Sequence, residues 1–311
     1  MRIIVAYDGS ECSDEAIDDL QRAGFPKQVE ALVMTVADVF VPPPLNEEID
    51  NTFPFQIPAG VRHAHERAKR ELEQARALAR QASKRLQDRF PEWNVQYEAV
   101  ANSPAWAVVA KADEWQPDLI VVGAHGSSLL AGRLILGSVS QRILYEARCS
   151  VRVARTRPKK VEESLRILVG VDGSTYSNRA IEAVAERHWP KGTQVRLLTV
   201  VDTVMAVNSN SSEETPVLKW IDVEQEENWE QVRQLFQPAV EKLKSAGLDA
   251  AVMIRRGSPW TEVIDEAESW NADSVFLGPK GIRGAQRLLL GSVSSAVAAR
   301  AHCSVEIVRR S

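Results

Sequence analysis

Short uninterrupted apolar runs alternate along this chain with longer stretches in which apolar residues recur at helical spacing. Arg2–Tyr7 (RIIVAY) is the first run, and a run without polar alternation suits a strand buried on both faces of a parallel sheet. Ser13 follows at a helix-start position, with Asp14 and Glu15 in the expected first turn. Val33–Ala37 reads as a second strand. The segment Val39–Pro58 carries Pro42-Pro43-Pro44, which excludes regular structure there. A helix rich in Ala, Arg, Glu and Lys is expected from about Gly60 to Phe90. Val95–Val100 is strand three, Pro104 opens a helix, Asp118–Val122 is strand four and Ser150–Ala154 strand five. Strands alternating with helices predict right-handed βαβ units and a parallel sheet covered on both faces.

The whole order then returns. IIVAYDGSECSDEAI (Ile3–Ile17) matches ILVGVDGSTYSNRAI (Ile167–Ile181), and ALVMTVAD (Ala31–Asp38) matches VRLLTVVD (Val195–Asp202). The stretch ending at Gly123 matches the one ending at Gly278, and ARCSVRVAR (Ala147–Arg155) matches AHCSVEIVR (Ala301–Arg309). A second long helix is expected at about Glu213–Ser245. The chain therefore divides into domains at 1–155 and 165–311, joined by the charged linker TRPKKVEES at 156–164.

Composition narrows the function classes. A chain of 311 residues suffices for two domains with their own cores. The net charge of −4 gives no electrostatic case for nucleic acid or an anionic membrane, and no apolar run approaches the ~18 residues of a span. The N-terminus runs straight into a strand without a leader pattern, so a cytoplasmic protein is expected. Cys12, Cys149 and Cys303 are too scattered for a disulfide framework or metal spacing; the last two are expected to pack beside the final strands. His63 and His65, two apart on a helix, share no face and suggest no metal. Trp106 and Trp260 are expected to pack rather than stack on a base.

The chemistry concentrates in Val121–Ser140 (VVGAHGSSLLAGRLILGSVS) and Phe276–Ser294 (FLGPKGIRGAQRLLLGSVS). Each is an apolar run, a Gly-x-x-Gly loop, a second glycine and Ser-Val-Ser opening an amphipathic segment. A strand emptying through glycines into a helix N-terminus favours an anion, because free N–H groups and the helix dipole meet there. Asp8 and Asp172 end the first strand of each half and would face these loops if the strands are neighbours. A carboxylate suits the base or ribose of a nucleotide and would repel bare phosphate. Plainer roles stay open: glycines that only turn the chain, aspartates that cap the next turn, and Ser140 and Ser294 that serve their own helices.

These residues resemble a tandem universal stress protein, with two copies of the family's domain in one chain. The family signature Gly-2x-Gly-9x-Gly-Ser/Thr is met in full by Gly278, Gly281, Gly291 and Ser292. Gly123, Gly126, Gly137 and Ser138 follow it with ten residues instead of nine before Gly137. The resemblance covers both halves, including the Asp-Gly-Ser start and the Cys-Ser-Val last strand. It implies two flavodoxin-like (adenine nucleotide alpha hydrolase-like) α/β domains, each a five-stranded parallel sheet of order 3-2-1-4-5. It implies ATP as ligand, with Mg²⁺ as its companion and ADP or AMP as alternatives. Adenine would meet Tyr7, Asp8 and Val36, and Val171, Asp172 and Val200. Phosphates would meet Gly126, Gly137, Ser138, Val139 and Ser140, and Gly281, Gly291, Ser292, Val293 and Ser294. The first half keeps the family's Gly-x-His-Gly form through His125. The second has Pro279, which lacks one backbone donor, beside Lys280, whose charge compensates.

No phosphate-binding Gly-x-x-x-x-Gly-Lys-Ser/Thr loop is present, and no residue is assigned a catalytic role; slow ATP hydrolysis or self-phosphorylation is left open. The expected partners are an adenine nucleotide, the other half of the same chain through Ser150–Arg155 and Ser304–Arg309, a further homodimer copy, and a protein partner that sequence does not identify. The rival readings are a scaffold without nucleotide, and a nucleotidyl-transfer enzyme of the related alpha-hydrolase group, which would need a further catalytic motif.

Overall fold

The computed structural model describes residues 1–39, 59–125, 136–155, 164–201, 227–280 and 290–309. In the first half, β1 (Arg2–Ala6) leads to α1 (Glu11–Asp19) and a short 3₁₀ turn at Leu20–Arg22. β2 (Glu30–Ala37), α2 (Ala59–Arg89), β3 (Asn94–Ala101), α3 (Pro104–Trp115), β4 (Leu119–Gly123), α4 (Ser138–Glu146) and β5 (Ser150–Ala154) follow. The second half repeats them as β6 (Arg166–Gly170), α5 (Thr175–Ala185), β7 (Gln194–Val201), α6 (Glu227–Ser245), β8 (Asp249–Arg256), α7 (Pro259–Ser269), β9 (Ser274–Leu277), α8 (Ser292–Arg300) and β10 (Ser304–Ile307). The proline segment (all but Val39), the linker (all but Ser164) and the start of the second long helix lie outside the described residues.

The sheet order is β3-β2-β1-β4-β5-β10-β9-β6-β7-β8. Within each half this is 3-2-1-4-5 and parallel, as the resemblance implies. The halves meet through β5 and β10, which pair antiparallel in the register Val151↔Ile307, Arg152↔Glu306 and Val153↔Val305. Ser150 and Ser304 extend this ladder with their side chains. Ser150 Oγ accepts from the Arg309 N–H (3.0 Å), and Ser304 Oγ accepts from the Arg155 N–H (3.0 Å).

The two faces of this sheet are built differently. On one, α3, α4, α7 and α8 share a continuous core in which Ile143, Leu144, Val297 and Ala298 pack with Val151, Val153, Val305 and Ile307. Burying each Ile, Leu or Val there contributes ~1.5–3 kcal/mol, and the core they form is continuous from one half to the other. On the other face the halves keep separate cores, one under α1 and α2 and one under α5 and α6. Polar contacts bridge the gap. Arg152 (0% exposed) donates to Asp19 through Nε (2.5 Å) and Nη2 (3.2 Å), and its Nη1 lies 3.3 Å from Glu306, which is 1% exposed. Arg187 donates to both oxygens of Glu306 (2.9 and 2.5 Å), with its guanidinium over the rings of Phe25 and Phe276. Arg22 and Asp273 form a second buried pair at 2.5 Å. Burial works against the Arg152 charge, but Asp19 and Glu306 outweigh it and hold the guanidinium above its ordinary pKa.

Two expectations are corrected. Ser13 is not the α1 cap. Ser10 is, and its Oγ accepts from the Ser13 N–H, with Glu11 and Asp14 in the first turn. The Asp-Gly-Ser turn starts the helix one turn earlier than the apolar pattern suggests. Trp106 and Trp260 are not packed away: they are 52% and 39% exposed, and the Arg300 guanidinium lies over the Trp260 ring. Cys149 and Cys303 are buried as expected.

Candidate functional site

The strand order reverses between β1 and β4 and again between β6 and β9. Val5 pairs with Val121 and Val169 with Phe276, so each first strand ends beside its glycine loop. A crevice at such a reversal, outside the carboxyl ends of parallel strands, is where this architecture takes ligands. Asp8 and Gly123 thus sit at one edge, and Asp172 and Gly278 at its counterpart.

Two helices start at each edge, and their N-termini differ. At α1, Gly9 turns the chain at φ +79°, Asp8 Oδ1 accepts from the N–H and hydroxyl of Ser10 (3.0 and 2.6 Å), and Ser10 caps the helix. At α5, Gly173 has φ +79°, Asp172 Oδ1 accepts from the Ser174 N–H (3.0 Å), and Ser174 Oγ accepts from the Ser177 N–H (3.1 Å). The plainer role of both aspartates is therefore realised by one carboxylate oxygen each. Asp8 is exposed and Asp172 half-buried.

α4 and α8 start on Gly137 and Gly291, both in extended conformation and, as glycines, without a side chain of their own to cap the helix. The Gly137 N–H is used by the Ala124 carbonyl (2.9 Å) and the Gly291 N–H by the Pro279 carbonyl (2.7 Å), which closes the base of each loop. The next amides, Ser138, Val139 and Ser140 in α4 and Ser292, Val293 and Ser294 in α8, occupy the first turn, where a helix offers no acceptor of its own. Ser138 and Ser292 are exposed, and Val139 and Val293 half-buried. Ser140 and Ser294 are buried, and each hydroxyl donates to the strand-end carbonyl, Gly123 or Gly278, at 2.7 Å. These two serine hydroxyls pin their helix to the strand. Gly126 and Gly281 lie outside the described residues.

The other candidates spread around this edge. The Tyr7 hydroxyl donates to Asp14 (2.9 Å); burial first and that carboxylate second push its pKa up to about 12. Val36 and Val200 pack against the α3, α4, α7 and α8 face, while Val171 is buried in the α5–α6 core. Lys280 is 8% exposed. His125 directs its backbone N–H to the Cys12 thiol. Gly123 and Gly278 answer to packing: a Cβ on Gly123 would lie 2.6 Å from the Cys12 carbonyl oxygen, and one on Gly278 2.8 Å from Tyr176 Cβ. That constraint escapes sequence reasoning, because its partner lies on α1 or α5, about a hundred positions earlier in the chain. The Ser10 and Ser174 caps were legible in the Asp-Gly-Ser triplet. Among the described residues no group of three or more His, Cys, Asp or Glu is placed to hold a metal, and no helix is long and apolar enough to cross a membrane.

The sequence profile described as the universal stress protein family matches residues 1–155 and again 164–309. A universal stress protein of Mycolicibacterium smegmatis is 30% identical over 251 residues, 76% of this chain and 77% of that one. One from Mycobacterium tuberculosis is 28% identical over 220 residues, 70% of each chain. The crystal structure of a universal stress protein from Archaeoglobus fulgidus aligns over 100% of this chain and 98% of its own, with TM-score 0.65 and 18% identity, which speaks to the fold.

Proposed function

This chain belongs to the universal stress protein family, and from that premise we propose that it is a cytoplasmic stress-response protein that binds ATP, with Mg²⁺, at the glycine edge of each half. Nucleotide occupancy acts as a signal in this reading, with no turnover required. The observation that carries it is the contrast at each edge: α1 and α5 are capped by their own serines, whereas α4 and α8 begin on a glycine, which has no side chain to cap them with. An uncapped first turn presents N–H groups and the positive end of the helix dipole to an anion. Asp8 and Asp172, each with one oxygen outside its turn bond, suit the hydroxyl-bearing end of a nucleotide beyond the phosphates.

The test is to denature the purified full chain and resolve the released small molecules by anion exchange, then to titrate the emptied protein with ATP and Mg²⁺. One or two equivalents of adenine nucleotide per chain are expected. Absence of nucleotide together with no uptake of added ATP would turn the reading toward the scaffold role and leave the glycine loops as turns.

A further inference from the structure

An arginine just past each central strand crosses to the other half. Arg155 follows β5, and its Nη2 donates to the Ala298 (2.7 Å) and Ala299 (3.3 Å) carbonyls near the C-terminus of α8. Arg309 follows β10, and its Nη2 donates to the Leu144 carbonyl of α4 (2.5 Å) and its Nη1 to the Cys149 carbonyl (3.5 Å). Ala298 and Leu144 occupy matching positions, as do the two arginines. The last carbonyls of a helix have no internal acceptor role to fill, and a cation there is favourable both as a donor and against the negative end of the dipole. Nη1 of Arg155 is shut off from water and finds no acceptor among the described residues, where the α8 carbonyls are the acceptors of its side chain. Burial pulls both arginines down to about 10, unlike Arg152 between its two carboxylates.

The helices capped in this way are the two whose N-termini open on the glycine edges. We propose that Arg155 and Arg309 are positioning residues that couple the two nucleotide sites crosswise, each holding the phosphate-facing helix of the opposite half. Arg309 sets α4 for the first site, and Arg155 sets α8 for the second. A nucleotide that orders α4 from its N-terminus thereby orders the Arg309 end of β10, and the reverse path runs from α8 through Arg155 into β5. Linkage makes such an effect reciprocal. This inference rests on the nucleotide reading above.

The experiment is equilibrium dialysis of labelled ATP with Mg²⁺ against the full chain. Ser292→Glu places a carboxylate in the second site and leaves the first to be measured; Ser138→Glu does the opposite. In the Ser292→Glu background, Arg309→Met is expected to weaken the remaining site by roughly three- to tenfold, while Arg155→Met leaves it within about twofold of its parent. The Ser138→Glu background should show the reverse, and Arg309→Lys in the Ser292→Glu background, which keeps the charge, should retain most of the affinity that Arg309→Met loses. Equal losses from both arginines, losses confined to the arginine's own half, or no loss would each overturn the coupling. A second readout needs no arginine variant: in Ser138→Glu, saturating ATP should slow hydrogen exchange in β5 of the empty first half, and protection confined to the second half would overturn the coupling. Failure of the unsubstituted chain to bind ATP overturns the nucleotide reading itself, and this inference with it.

Discussion

Gly123 and Gly278 are held to glycine by the backbone and side chain of a neighbouring helix, quite apart from any ligand. Gly123→Ala sets a Cβ 2.6 Å from the Cys12 carbonyl, and a backbone atom cannot swing aside as a flexible side chain would. A loss of ~1–3 kcal/mol in urea unfolding of the full chain is expected, and an unchanged midpoint would count against this account. Cys149 gives a pH signature. Burial pushes its thiol up to about 11 from 9.0. The unfolded chain then releases this proton while the folded one retains it, so stability is full below pH 9 and falls as pH rises toward 11. Cys149→Ala should flatten that part of the curve in a pH series of thermal unfolding. Sequence named the residues of the glycine edge but not what each does: Ser140 was readable as a helix residue or a phosphate ligand, and only its hydrogen bond to Gly123 shows the hydroxyl pinned to the strand.

The elements were largely legible because they are buried runs. The fourth strand is 0–2% exposed from Leu119 to Val122, and a short run rich in β-branched residues, between Asp118 and Gly123, suits a central strand of a parallel sheet buried on both faces. Boundaries moved where a side chain decides the start, as Ser10 does for α1. The uncapped helices invite a charge test. Ser138→Glu should stabilise the empty protein by ~0.3–1 kcal/mol, since a carboxylate favours a helix N-terminus, and at the same time abolish ATP uptake by the first half. Unfolding and dialysis on one sample separate the two effects. A variant that loses both stability and binding would mean that the helix had been damaged, and one that keeps binding would remove α4 from the site.

At the scale of the whole molecule, the meeting of the halves through their last strands was expected from family resemblance, whereas the buried charges between them left no local pattern to read. Asp19 and Arg152 stand 133 positions apart, and each alone looks like an ordinary charged residue. Removing one partner strands the others in the interior, so Arg152→Ala should cost ~3–5 kcal/mol, measured as a lower urea midpoint. Val153→Pro removes a backbone donor beside this pair and should loosen the junction, visible as an expanded profile in small-angle scattering; an unaltered profile would contradict it.

The charges at that junction also say whom the halves can recognise. Arg152 faces Glu306 where matching positions of the two repeats meet. Were the first half to pair with another first half, arginine would meet arginine in a space closed to water; two second halves would bring glutamate against glutamate. Duplication has thus turned what would be a handshake between identical hands into a lock with its own key. A single chain satisfies itself, and any larger assembly is left to other surfaces, with β3 and β8 as the sheet's two outer borders.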